Sequence, residues 1–189
     1  MLSWADFESA APDLAAAGRR LFERDGGGQA LLATVRDDEP PRIHPIDLAI
    51  VDGRLVAFLL ASAKRFDLER DGRFALHAHQ DPAAPSEFLV RGRARRIEDP
   101  AIRAPIAAGW SFEVDRTYDL YEFGIASALL GERAADEWPP RYTRWSSRDA
   151  AAPRRWGRPR ARPGRSFVVL WLGHLVGCGR RGFVLSGTR

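Results

Sequence analysis

The feature that most constrains this chain is a series of short strand-like runs that follow one another at brief intervals. The runs are rich in Val, Ile, Leu and Phe, and turns containing Pro, Gly and Asp separate them. Short antiparallel strands expose their edges unless the sheet closes on itself. The sequence therefore predicts a mainly β fold of the α+β class, an antiparallel barrel with short flanking helices. The predicted strands are residues 29–36, 41–51, 54–60, 73–79, 87–97, 118–129 and 139–145.

Two segments outside these runs predict helices. The N-terminal segment predicts one helix with Ser3 as its N-cap, and Asp99 followed by Pro100 predicts the start of another. The glycines at 26–28 end the first pattern and predict a flexible connection without the spacing of a phosphate-binding fingerprint. The apolar stripe of the first helix is predicted to contain Trp4, Phe7, Leu14, Leu21 and Phe22.

The charge of the chain is divided unevenly along its length. The 189 residues carry a net charge of +4, but residues 150–189 contain nine arginines and no Asp or Glu. Residues 1–149 therefore hold 20 basic and 25 acidic residues, a net charge of −5. Phosphate-backbone binding needs a basic folded surface, so nucleic-acid binding is not expected.

The same change in composition predicts the domain boundary. Residues 1–147 are predicted to form the domain, and residues 148–189 to form a loosely structured extension rich in Arg, Pro and Gly. A tail that binds an acidic partner or a membrane surface is an alternative that the residues leave open.

Targeting and membrane signals point to the cytoplasm. Cys178 is the only cysteine, which excludes an intramolecular disulfide and fits a reducing compartment. The N-terminus lacks the basic and apolar regions of a signal peptide, and no apolar run approaches the roughly 18 residues of a membrane span. A cytoplasmic protein without membrane contact is expected.

Residues 59–76, LLASAKRFDLERDGRFAL, form the segment most suggestive of a binding site. Ser62, Lys64 and Arg65 are donors placed at a loop that leads into a predicted helix, where a phosphate is readily bound. The helix is predicted to begin near Arg65 or Phe66, with Phe66 and Leu68 as apolar anchors. The residues alone favour an anion site but leave open a solvated charged turn.

Other combinations of reactive side chains give weaker signals. No serine lies in a G-x-S-x-G turn, so the catalytic residues stay unknown. Three histidines lack diagnostic metal-site spacing, and no metal is expected. These histidines are His44, His77 and His79. The acidic residues predicted to be surface charges of the short helix are Asp67, Glu69 and Asp71.

The segment SAKRFDL followed by ERDGRFAL resembles the signature of the pyridoxamine 5'-phosphate oxidase-like flavoproteins: Ser, one residue, Lys, three residues, Leu, a short turn and an alternating strand. The upstream run ATVRDDEPPRIHPIDLAIVDGRLVAFL is similar to the first two hairpins of that family. The resemblance extends over residues 1–147 and is closest to its short, mostly uncharacterised bacterial members. It implies a split β-barrel that binds FMN, with a deazaflavin as the alternative.

The resemblance also implies which residues hold the cofactor. Lys64 would bind the phosphate with help from Ser62 and Arg65. The isoalloxazine ring would lie along one strand, and the ribityl chain would pack beside the next. The strand beside the ring comprises Arg42, Ile43, His44 and Pro45, and the residues beside the ribityl chain include Phe58, Leu59 and Ala61.

The expected function is a flavin-dependent oxidoreductase that acts on a small organic substrate. The alternative is a flavin- or haem-binding carrier or sensor without turnover. The resemblance implies a homodimer with the cofactor at an interface built from residues 42–48 and 88–95, and Trp138 and Trp145 could close the pocket. Vitamin B6 oxidase activity is not expected, because position 63 is Ala where the true oxidases have a basic residue, and the Arg and His substrate clamp has no clear counterpart.

Overall fold

A computed structural model describes residues 1–23, 27–78, 85–134 and 138–148. The chain divides into residues 1–154 and 155–189, and every described residue belongs to the first unit. The predicted extension lies almost entirely outside the described residues. The helices are α1 (Trp4–Ala10), α2 (Pro12–Phe22), α3 (Ala63–Arg70) and α4 (Pro100–Ala108). The strands are β1 (Gly28–Arg36), β2 (Glu39–Val51), β3 (Arg54–Leu60), β4 (Arg73–Ala78), β5 (Glu87–Ile97), β6 (Tyr118–Glu132) and β7 (Arg141–Ser146).

The strands form one antiparallel sheet that closes into a six-stranded barrel. Their order is β3-β2-β1-β4-β5-β6-β7, and an additional pairing of β3 with β6 completes the closure. The mainly β prediction and the seven predicted strands are therefore confirmed, with shifts of a few residues at their ends. At the β2–β3 turn, Asp52 and Gly53 have positive φ values of 48° and 70°, the conformation expected when Asp-Gly connects a hairpin.

Alternation along the strands fills the barrel interior. Leu32, Leu76 and Val90 are fully buried and follow one another across β1, β4 and β5. In β6 the interior set passes from Ile125 to Ala128, because the pairing with β5 skips one residue. This bulge keeps apolar side chains inside along a 15-residue strand.

The edge of β6 is shared by three partners, which is where the barrel splits. β3 pairs with β6 up to Glu122, and β7 pairs with it from Ser127 onward. Between them, Leu2 forms an isolated antiparallel bridge with Ile125 through two backbone hydrogen bonds of 3.1 and 2.8 Å. The N-terminal segment therefore covers the part of the β6 edge that lies between β3 and β7, where the barrel splits.

The N-terminal segment forms two helices, not the single helix predicted. Ser3 caps α1 with a reciprocal bond to Asp6, as its position suggested. Pro12 stands at the first position of α2, where its missing N–H costs nothing, whereas inside a continuous helix it would remove a hydrogen bond. Trp4 and Phe22 are nonetheless buried in the main core, so the predicted apolar stripe is correct in substance.

Helix α4 covers a second, smaller core on the outer side of β3 and β6. Asp99 caps this helix as predicted, accepting a hydrogen bond from the Ala101 N–H at 2.9 Å. The buried members of this second core are Val56, Phe58, Ile97, Ile106 and Leu120. None of the helices in the described part of the chain is long and apolar enough to cross a membrane.

Candidate functional site

Helix α3 closes one end of the barrel and positions the candidate site. It connects β3 to β4, which are separated in the sheet by β2 and β1, so it crosses the barrel end at which the β1–β2 hairpin turns. The helix begins at Ala63, with Ser62 as the N-cap, and not near Arg65 or Phe66 as predicted. Leu68 is buried as expected, whereas Phe66 is 55% exposed and does not anchor the helix.

Lys64, in the first turn of α3, is a cation without an anionic partner in the ranges that the structure describes. Among the described residues no carboxylate lies within ion-pair distance of its ammonium group. The side chain is half-buried. A half-buried, unpaired ammonium group at the start of a helix is suited to binding an anion.

Arg42 and His44 on β2 lie beside Lys64. His44 pairs with the buried Leu32 and is therefore on the interior side of the barrel wall. Burial, followed by the charges of Lys64 and Arg42, lowers the pKa of His44 below its usual value, although Asp67 opposes this. Its Nε2 atom is buried and has no hydrogen-bond partner within the described ranges. A neutral imidazole with one unpaired nitrogen therefore lies next to two cations.

Asp67 is the buried carboxylate of this end of the barrel, contrary to the prediction of a surface charge. It is 3% exposed and accepts a 2.9 Å hydrogen bond from the Thr34 hydroxyl. Arg42 and Arg70 approach it at 3.5 Å each. Asp67 thus connects α3 to β1 and β2, but its contact with Arg42 is long and leaves the other Arg42 donors available.

Arg65, predicted to assist Lys64 at the phosphate, is in contact with two carboxylates. Its guanidinium is bound by Asp119 at 2.7 Å and lies 3.3 Å from Glu69. Tyr121 donates a 3.3 Å hydrogen bond to the same Glu69, and burial raises the pKa of Tyr121 to about 12, so the phenol stays protonated. Arg65 is therefore compensated by carboxylates and attaches α3 to β6.

Ser62 also differs from the expectation. Its hydroxyl donates to the Leu60 carbonyl at 3.0 Å, and its side chain does not cap the helix. The first intrahelical bond runs from the Phe66 N–H to the Ser62 carbonyl. The N–H groups of residues 63–65 consequently have no acceptor within the helix and remain available as donors at its N-terminal end, beside Lys64. The helix dipole also favours an anion at this end.

The remaining predicted residues are divided between the exterior and the cores. Ile43 is 67% exposed, and Pro45 and Ala61 are exposed as well. Phe58 lies in the second core, edge-on to Trp110 at a centroid distance of 4.9 Å, and Leu59 lies in the main core. Because both side chains are buried in the cores, β3 can contact a ligand at these two residues only through its backbone.

The structure also shows where the two tryptophans predicted to close the pocket lie, and where one of the two remaining candidate histidines lies. Trp145 packs on Phe7 at 4.9 Å, while Trp138 is 78% exposed. The His77 ring nitrogen lies 3.3 Å from Glu87 on the outer side of the sheet, and His79 is outside the described residues. Within the described part of the chain, no group of three metal-ligating side chains is present.

Sequence reasoning missed two buried acids, Asp67 and Glu122. Glu122 is 4% exposed and is bound by Arg54 at 2.9 Å and by Arg95 at 2.9 and 2.5 Å. Local pattern gave no signal for Asp67, because Thr34 and Arg42 are brought opposite each other, and both against Asp67, only by the folded sheet.

Comparisons with known proteins bear on the fold. No protein-family profile and no curated protein matches the sequence. Among solved structures, a NimC/NimA family protein from Clostridium acetobutylicum matches 74% of this chain and 99% of its own, with TM-score 0.52 and 13% identity. A haem-binding protein from Mycobacterium smegmatis matches 68% of this chain but only 57% of its own, with TM-score 0.50 and 17% identity. A Clostridium acetobutylicum protein of the pyridoxinephosphate oxidase family has TM-score 0.49 and 12% identity, and matches 77% of this chain and 98% of its own.

The likenesses to the NimC/NimA family protein and to the haem-binding protein, together with the closed six-stranded barrel, define the class of fold. The protein has a split β-barrel fold of the α+β class, as its sequence resemblance implied. At identities below 20% the likeness concerns the fold alone, so the function must be argued from the residues at the end of the barrel.

Proposed function

We propose that the protein binds FMN, or a deazaflavin, and acts as an oxidoreductase on a small organic substrate. The observation that carries the proposal is the unpaired ammonium group of Lys64 at the start of α3, next to Arg42 and His44. A cofactor with a phosphate group and a polar ring needs such a combination of cations, helix N–H groups and a neutral hydrogen-bonding side chain.

Each of these groups has a task in the proposed complex. Lys64, Arg42 and the N–H groups at the start of α3 would bind the phosphate. The unpaired His44 Nε2 would hydrogen-bond to the polar edge of the ring. The residues present therefore fit the cofactor, because a bound ring would give this buried nitrogen the partner it lacks among the described residues. When bound, the flavin supplies hydride transfer. The chain then orients the ring, excludes water and needs no strong acid or base of its own.

We also propose a homodimer formed through the outer face of the sheet. Strand register brings Leu31, Ala33 and Ala75 next to one another on that face, and Ile43 extends the apolar row onto β2. A ring bound at the end of a single small barrel stays open to water, and a twofold interface would cover it and give two equivalent sites. The expected interface includes residues 42–48 and 88–95.

The dimer is tested by sedimentation of the cofactor-loaded protein over a dilution series. If the site lies between subunits, the cofactor should be released together with subunit dissociation. A monomer that retains its flavin would refute the interfacial site.

The cofactor is tested by the absorbance spectrum of the purified protein, followed by titration with FMN and with riboflavin. Flavin or deazaflavin bands are expected, and FMN should bind more tightly than riboflavin, because only FMN has the phosphate that Lys64 would bind. Equal affinity for the two would contradict the phosphate site.

A haem-binding carrier or sensor is the second candidate, and His44 is the observation that favours it. A histidine that held haem iron would need an unprotonated nitrogen without another partner. His44 Nε2 has no hydrogen-bond partner in the described ranges, and burial lowers the pKa of its imidazole. A Soret band that His44→Gln abolishes would support haem binding. A flavin spectrum that survives this change would support the first proposal.

A further inference from the structure

A groove of about 240 Å³ lies on the outer side of the sheet where β5, β6 and β7 run side by side. The strand register explains its composition, because Leu89 stands opposite Leu129, and Leu129 stands opposite Arg144. One step along, Arg91 stands opposite Ser127. Among the described strands β7 pairs with β6 alone, so the groove lies next to the end of the sheet.

Two arginines of this groove have no acidic partner. No carboxylate of the described residues lies within ion-pair distance of Arg91 or Arg144, and the Arg144 guanidinium instead lies 5.6 Å from the centre of the Tyr142 ring. Glu87, the acid of this part of the face, is engaged by His77 at 3.3 Å and by the Tyr142 hydroxyl. The groove therefore has a positive charge that no acid of the described residues neutralises.

The surface between the two guanidinium groups is apolar. Leu89 and Leu129 are half-buried leucines whose side chains face the groove from adjacent strands. A purely ionic ligand would gain nothing from these leucines, and a purely apolar ligand would leave the arginines unused. The volume is below that of typical drug-sized pockets, which limits the ligand to about one ring.

We propose that this groove binds a small organic carboxylate with an apolar body, such as an aromatic or branched aliphatic acid. The carboxylate is bound by the guanidinium groups of Arg91 and Arg144, whose forked donors suit its two oxygens. The apolar body lies on Leu89 and Leu129. The site is separate from the cluster of Lys64, Arg42 and His44 at the start of α3 (the α3 cluster), and it does not require a bound flavin. Leu89 and Arg91 lie within a segment proposed for the dimer interface, whereas Leu129 and Arg144 lie outside it.

The experiment measures benzoate binding to the full-length protein by titration calorimetry, with benzyl alcohol and acetate as matched probes. Benzoate should bind at least about tenfold more tightly than either, because benzyl alcohol lacks the charge and acetate lacks the ring. Arg144→Gln and Arg91→Gln should each weaken benzoate binding by about tenfold, the loss expected for a charge-assisted contact. Leu129→Ala should weaken benzoate binding but leave acetate binding unchanged.

Arg141→Gln is the matched control, since Arg141 is on β7 but points its charge towards Glu132 at 4.0 Å, outside the groove. It should leave benzoate binding unchanged. Equal effects of the Arg141 and Arg144 variants would overturn the proposal, as would benzoate binding no tighter than acetate binding.

Lys64→Ala separates this proposal from the flavin proposal. Benzoate binding should be unaffected by that change, and flavin binding should be unaffected by Arg144→Gln, because Arg144 lies outside the segments proposed for the dimer interface. Loss of benzoate binding in Lys64→Ala would place the carboxylate at the α3 cluster and overturn the groove. Sedimentation of each variant verifies that its assembly state is the same as that of the unmodified protein.

Discussion

Asp67 and Glu122 are both buried carboxylates next to two arginines, yet their surroundings differ. Glu122 is bound at 2.9 Å by Arg54 and at 2.9 and 2.5 Å by Arg95, so its charge is fully compensated. Asp67 has one short bond, from Thr34 at 2.9 Å, while its two arginines remain at 3.5 Å. The tight cluster joins β3, β5 and β6. The loose one leaves donors available beside the unpaired Lys64.

This difference is the criterion by which we propose to distinguish a structural charge cluster from a binding site. Burial of an acid is common to both, and so is the presence of arginines. The two clusters differ in whether their cations are already held at short distance by a carboxylate of the chain. The following predictions test that distinction.

The largest effect is expected for Lys64→Ala on cofactor affinity. Loss of a charge-assisted phosphate contact should weaken FMN binding by about 1.5 to 3 kcal/mol, measured by fluorescence titration, without lowering the thermal midpoint. Lys64→Arg should recover part of the affinity. Arg19→Ala is the control, because Arg19 lies on α2 and pairs with Glu23 at 3.3 Å. Unchanged FMN affinity in Lys64→Ala would remove the phosphate site.

Glu122→Gln should act on stability and not on binding. The change leaves Arg54 and Arg95 without their counter-charge, and we expect a loss of about 1 to 3 kcal/mol in the free energy of unfolding, since both arginines can still reach water. Glu132→Gln on the same strand is the control and should change stability by less than about 0.5 kcal/mol. If Glu122→Gln instead impaired FMN binding at unchanged stability, the contrast between the clusters would be wrong.

The pKa of His44 should change when an anion binds at the α3 cluster. In the free protein it is lowered, first by burial and then by Lys64 and Arg42. The unfolded chain therefore binds more protons than the folded one below the usual histidine pKa of about 6.5. Stability should fall as the pH drops through that region, and His44→Gln should reduce this dependence in thermal unfolding measured across the same range.

A bound phosphate should reverse the shift of the His44 pKa. It would offset the neighbouring cations, so the pKa should rise and FMN affinity should increase as the pH falls between the two values. Histidine NMR signals during titration with FMN measure this directly, with riboflavin as the phosphate-free control. A His44 pKa that is unchanged by FMN would place the phosphate elsewhere.

The smallest effect is expected from deletion of residues 150–189. The hairpin and phosphate-loop signals all precede residue 150, so the truncated protein should stay folded, dimeric and able to bind cofactor, as judged by sedimentation and absorbance. Aggregation or loss of cofactor would show that residues 167–178 contribute to the core.

The strand series, the Asp-Gly hairpin and the caps at Ser3 and Asp99 could be predicted from the sequence, because each depends on residues close together in the chain. Their physical causes are alternation with the pleat, positive φ at a tight turn and a side chain that accepts from a helix N–H. Lys64 could be placed at the start of a helix for the same reason. Pro12 could also have indicated the division of the N-terminal segment into α1 and α2.

Which charges are compensated was decided only by the tertiary structure. Lys64 and Arg65 are adjacent and looked equivalent, yet Arg65 meets Asp119, which is 54 residues further along the chain, at 2.7 Å. Asp67 looked like a surface charge until closure of the barrel brought Thr34 against it. Strand pairing sets such distances between residues remote in sequence, and neither composition nor local pattern contains them. Local sequence pattern thus predicted the fold class and the position of Lys64 at a helix start, whereas the closed barrel decided which cations are paired with carboxylates of the chain.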